Sequence, residues 1–145
     1  FMHGAEKLYP DLVNRDKTDY LLPEYVDWEK IYADTFFWLS LPVFDRPTIK
    51  IDGYVSHRPF PTYITEFWLH VNLFAPAKVL HVTTSCQKVE VLLSFGCDLY
   101  VDDKPQTFNE CLDAGLNVYL YSQPWNQHIK TDRRISKLAE LERLL

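Results

Sequence analysis

From residue 50 onward, apolar residues fall into short runs separated by longer stretches in which they recur every three or four positions. The runs cover residues 50–56, 78–82, 98–101 and 117–121. Each is rich in Val, Ile, Leu or Tyr and short enough to be a strand. Thr62 or Thr65 opens a predicted helix through His70, and Val89, Leu92 and Leu93 repeat at helical spacing before Gly96 ends that segment. Gly115 does the same for residues 108–114. After Thr131, Ile135, Leu138, Leu141 and Leu145 share one helical face opposite Arg, Lys and Glu, which predicts an amphipathic covering helix. Strand and helix thus alternate four times. That rhythm predicts an α/β fold: a Rossmann-like, mostly parallel sheet with helices on both faces.

The first 48 residues carry a different pattern. Residues 1–9 read as a helix with Pro10 just past it, and Asp27 can cap a second helix running over residues 28–37. No strand pattern occurs there, three prolines (Pro23, Pro42, Pro47) punctuate the segment, and aromatic residues crowd into it. The expectation is one domain of 145 residues, with a small helical cap over about residues 11–48 beside a core of residues 49–145.

Composition narrows the classes. Hydrophobic residues make up 47% and charged residues 24%, a globular balance. The most apolar uncharged stretch, residues 36–44, is far short of the roughly 18 residues needed to cross a bilayer, so no membrane partner is expected. The net charge of -5 argues against a long nucleic acid, while a single bound phosphate is compatible with it. Cys86, Cys97 and Cys111 are odd in number and lack metal-ligand spacing. They read as small core residues in a reducing, cytoplasmic compartment.

Open parallel sheets bind ligands outside the carboxyl ends of their strands, so the polar residues where each run stops are the candidates for chemistry. The first run ends in Ser56-His57-Arg58-Pro59, the second is followed by Thr83-Thr84-Ser85 and then Lys88, and the third ends in Asp102-Asp103-Lys104-Pro105. A hydroxyl, cations and paired carboxylates on one edge suit phosphoryl chemistry with a hard cation. Each also has a plainer reading: Asp102 and Asp103 as turn formers, Ser56 as a turn hydroxyl, Lys88 as a solvated charge, His57 and Arg58 as a surface pair. The remaining histidines show no metal-binding spacing, and the four glycines form no phosphate loop.

Taken together, the segments 53–59, 65–69, Lys88, 100–105, Ala114-Gly115 and Gln123-Pro124-Trp125-Asn126 resemble the haloacid-dehalogenase-like phosphatases, and within them the 5'(3')-deoxyribonucleotidase group of bacteria and phages. The resemblance covers most of residues 50–130; before residue 48 it rests on Phe36-Phe37 and Leu41-Pro42. It implies that Ser56 holds a phosphoryl oxygen, with His57, Arg58 and Lys88 completing the phosphate site. It implies Lys88 as the lysine pairing nucleophile and phosphate, although Lys78 and Lys104 lie near in sequence. Asp102 would be a Mg²⁺ ligand and Asp103 would support the metal shell. In the cap, Phe36, Phe37 and Trp38 would face the substrate.

The family's first motif, Asp-x-Asp-Gly, occurs nowhere in these 145 residues. By resemblance it would lie just before Phe1, on a first and central strand between the run ending at Ser56 and the run ending at Val101. The expected function is a Mg²⁺-dependent phosphomonoesterase, a 5'-nucleotidase or deoxyribonucleotidase working through an aspartyl-phosphate on that upstream Asp. Its partner would be a nucleoside monophosphate. The alternatives are a non-catalytic structural or interaction module of the same fold, and a phosphatase for another small phosphomonoester.

Overall fold

A computed structural model describes residues 27–145 apart from residue 59. The helix expected over residues 1–9 lies outside the described residues. The order is α1 (Trp28–Ala33), α2 (Thr35–Leu39), β1 (Gly53–His57), α3 (Thr62–Val71), β2 (Lys78–Val82), α4 (Ser85–Ser94), β3 (Tyr100–Asp102), α5 (Pro105–Asp113), β4 (Val118–Tyr121), a 3-10 turn (Pro124–Asn126), β5 (Arg134–Ile135) and a 3-10 helix (Leu138–Arg143). The protein is mixed α/β with short parallel strands. All four expected runs become strands, with the second at its expected bounds and the third shifted to end on Asp102.

Among the described residues the strands form two parallel sheets. β1 pairs in parallel with β2, and β3, β4 and β5 form a second parallel sheet in that order. Among the described residues, no strand pairs with the other edge of β1 or of β3. Helix α4 spans the divide: it packs on β1, β2 and α5, and its Lys88 reaches Asp102 at the end of β3. Val55 of β1 packs against the cluster of Leu92, Phe108, Cys111, Leu116, Val118 and Leu120 that supports β3 and β4. The two sheets therefore share one core under α4.

Two further expectations change. The helix expected over residues 28–37 is broken at Asp34, whose non-helical backbone (φ -86°, ψ 89°) ends α1 and whose carboxylate accepts from Phe37 N, starting α2. A short polar side chain at that point satisfies a new helix start better than it continues an old one. The covering helix expected after Thr131 is absent. Ile135 instead joins β4 as part of β5, and a 3-10 helix follows. Leu141 is buried, whereas Leu145 is 77% exposed, so the apolar spacing there does not describe one helical face. Gly96 and Gly115 do stop α4 and α5, at φ of 60° and 77°, a conformation that glycine adopts without Cβ strain.

The aromatic N-terminal part packs as its own core cluster: Ile31, Phe37, Trp38 and Leu41 close over Phe60 and over Ile64 of α3. Asp45 ties this part to the second sheet, accepting from Tyr121 Oη at 3.0 Å and from Leu138 N at 2.7 Å.

Candidate functional site

Because each sheet is parallel, its strands end on one edge. Lys88 lies in the first turn of α4, just beyond the end of β2, and meets Asp102 at the end of β3. The carboxyl ends of both sheets thus face the same region.

The centre of that region is a buried carboxylate. Asp102 is 6% exposed and Lys88 8%, and Lys88 Nζ donates to Asp102 Oδ2 at 2.8 Å. Tyr100 Oη donates to the same oxygen at 2.7 Å, and Lys104 N donates to Oδ1 at 2.9 Å. A charge so deeply placed survives only when paired and hydrogen-bonded, and here it is both. Burial, followed by the Asp102 charge, raises the Tyr100 phenol far above its ordinary range, so it remains a donor. Asp103 is the next residue. Burial first, and the Asp102 carboxylate second, push its carboxyl up to about 6. Two adjacent carboxylates against one buried ammonium leave negative charge that a hard cation would relieve. Toward Mg²⁺ the donor set offers Asp102 Oδ1, which accepts one hydrogen bond, with the Asp103 carboxyl next in sequence. No group of three or more His, Cys, Asp or Glu side chains suited to a metal occurs among the described residues.

Ser56 belongs to a second grouping. Arg58 Nε donates to Ser56 Oγ at 2.9 Å, and the guanidinium lies 5.0 Å from the Trp38 ring centroid and 5.5 Å from that of Phe60. The turn after β1 thus holds a cation against two aromatic faces. His81, opposite Ser56 in the β1–β2 register, places Nδ1 at 2.7 Å from Phe60 O and Nε2 at 3.0 Å from Thr65 Oγ1. A carbonyl only accepts, so Nδ1 carries the proton and Nε2 accepts from Thr65.

Lys88 and Asp102 are brought into contact, Asp103 adjoins them, and Ser56 and Arg58 pair with each other. His57 is exposed at the end of β1. In the cap, Phe36 is 79% exposed, whereas Phe37 and Trp38 are each 4% exposed and pack edge-to-face at 5.1 Å within the core. Trp38 also donates Nε1 to Ile31 O. Of the three, Phe36 alone presents its ring to solvent. The other lysines have separate surroundings: Lys104 Nζ donates to the buried Ser85 Oγ at 3.3 Å, and Lys78 lies 4.1 Å from the Phe95 ring centroid.

Tyr100, Asn126 and Arg134 were not identified as site residues from the sequence. Asn126 is fully buried and uses its whole amide: Nδ2 donates to Asp103 O at 2.9 Å and Tyr121 O at 2.8 Å, while Oδ1 accepts from Gln123 N and Arg134 Nη1. It locks the loop after β4 onto the loop that carries Asp103. Its segment was visible in the sequence as Gln123-Pro124-Trp125-Asn126, and Tyr100 stands two residues before Asp102, on the same face of an extended strand.

Comparison with protein-family models, curated proteins and solved structures finds no match to this chain.

Proposed function

We propose that this protein is a Mg²⁺-dependent phosphomonoesterase of the haloacid-dehalogenase type, acting on a nucleoside monophosphate. The observation that carries the reading is the buried Lys88–Asp102 pair beside Asp103, at the carboxyl edge where a parallel α/β fold places its chemistry. Asp102 and Asp103 would hold the cation, which neutralises phosphate charge when bound. Lys88 would supply positive charge to the transferring phosphoryl group and keep a carboxylate nucleophile ionised. Ser56 and Arg58 would bind phosphate oxygens from the β1 side. The aspartate nucleophile of that mechanism belongs to an Asp-x-Asp-Gly motif, which does not occur in this sequence. Among the described residues, β1 and β3 each have one unpaired edge, the two strands being joined beneath by α4, and a further parallel strand would pair there.

One observation favours a second reading, a non-catalytic module of the same fold. Both oxygens of Asp102 already have partners within the protein, as they would in a purely structural ion pair. The free cysteines and the lack, among described residues, of a helix long and apolar enough to cross a membrane are compatible with either reading. A phosphatase assay of the full-length protein against a panel of nucleoside 5'-monophosphates, with and without Mg²⁺, separates them. Mg²⁺-dependent phosphate release supports the enzyme. Its absence across the panel overturns the nucleotidase and leaves the module.

A further inference from the structure

Asp102 is the only acidic side chain among the described residues with a buried salt bridge, yet the lysine that pairs with it is a flexible four-carbon stem that cannot by itself fix a carboxylate plane. A rigid donor is present on the same strand. Tyr100 precedes Asp102 by two residues, so both side chains leave β3 on one face, and the ring is anchored in the core cluster around Leu92 and Phe108. Its hydroxyl lies 2.7 Å from Oδ2, the oxygen that Lys88 also uses. On the other side, Lys104 N holds Oδ1 from the loop backbone. Three donors from a strand, a helix and a loop thus set both the tilt and the rotation of one carboxylate.

We infer that Tyr100 is a positioning residue, which holds Asp102 Oδ2 toward Lys88 so that Oδ1, held only by Lys104 N, is the oxygen presented to a divalent cation. This rests on the metal-dependent reading proposed above. Oδ2 accepts two strong hydrogen bonds and is thereby committed. Oδ1 accepts one and retains a lone pair. Asp102 therefore serves as a one-oxygen ligand, in an orientation set before the cation arrives. Removing the phenol hydroxyl leaves the carboxylate to follow the motions of the Lys88 stem. Partners of this kind, one step removed from a metal, are worth about 10- to 100-fold in metal affinity.

The test is a Mn²⁺ titration of the full-length protein followed by electron paramagnetic resonance of the free ion, on wild type and Tyr100→Phe, with a thermal melt of each. Phenylalanine keeps the ring and its core contacts. The expected result is Mn²⁺ binding by wild type and a Kd raised about 10-fold in Y100F, at a temperature well below both melting points. A lowered Tm with an unmoved Kd marks a merely structural hydrogen bond and overturns the inference while leaving the metal site intact. No Mn²⁺ binding by wild type overturns the metal-dependent reading itself. If Y100F does not fold, Tyr100→Met, which fills irregular core space without a donor, is titrated in its place and judged by the same outcomes.

Discussion

Lys88 and Asp102 are 14 residues apart in sequence and in direct contact at 2.8 Å, one from a helix associated with the first sheet and the other from the last position of a strand in the second. Their pairing is a buried polar link across the divide between β1 and β3, beside that of Lys104 with Ser85. Truncating one member of a buried pair costs about 3–5 kcal/mol, because the surviving charge is left without compensation. Lys88→Met is expected to destabilise by that amount. The double variant Lys88→Met/Asp102→Leu should recover much of the loss, which urea unfolding of the two variants and wild type will read. An additive double variant would show that the pair is not coupled.

Asp102→Asn removes a carboxylate at nearly constant volume. On the phosphomonoesterase reading proposed above, it is expected to abolish Mg²⁺ dependence and to lower kcat/KM by about 100-fold, alongside a stability loss from leaving the buried Lys88 ammonium without its carboxylate. Activity at several Mg²⁺ concentrations, measured below the variant's melting temperature, separates the two effects. Unchanged metal dependence would make Asp102 structural.

Arg58 is held by Ser56 Oγ and by the faces of Trp38 and Phe60. Arg58→Ala is expected to cost about 1 kcal/mol through the lost cation–π contacts and, on the proposed phosphomonoesterase reading, to raise KM for a nucleoside monophosphate more than it lowers kcat. Arg58→Lys keeps the charge without the planar stacking surface, so it should recover only part of the KM. A KM that does not move in either variant would remove Arg58 from the phosphate site.

His81 sits below its ordinary value of 6.5, first because burial disfavours the imidazolium and then because the Arg58 charge does; the bond to Phe60 O and the Glu66 charge act in the opposite sense. The folded protein therefore binds this proton less readily than the unfolded chain. The stability involved is present above about pH 6.5 and is lost as the pH falls through the lower folded value. Thermal melts between pH 7.5 and 5 should show that loss in wild type and a smaller one in His81→Gln. Equal pH profiles would assign the acid sensitivity to other groups.

Asn126→Leu keeps the branched shape of the side chain and deletes four hydrogen bonds at a site of zero exposure. Each buried polar partner left unsatisfied costs about 1–3 kcal/mol, so a loss of at least about 3 kcal/mol is expected in chemical denaturation. Asp103, whose carbonyl Asn126 holds, should lose its fixed position at the same time. A change below about 1 kcal/mol would mean that the loop carries its own order.

What the sequence by itself determined is local. The runs that become β1 to β4, the glycine stops of α4 and α5, and the cap of α1 by Asp27 depend on side-chain period, positive φ and a nearby carboxylate, all of which act within a few residues. Asp102 was legible as a candidate because it ends an apolar run, and Lys88 because it opens the helix that follows one. Tertiary structure decided what lies beyond that range. Ile135 has the spacing of a helix yet gains more from pairing with β4, because Tyr121 and Leu120 offer it a free parallel edge. Phe37 and Trp38 look like a substrate face until Ile31, Phe60 and Ile64 close over them. Tyr100 reads as an ordinary strand aromatic until folding brings its hydroxyl onto the oxygen that Lys88 holds. Contacts of this kind join residues distant in the chain, and no local period encodes them; burial in a shared core selects which side chains meet and which polar atoms must find partners.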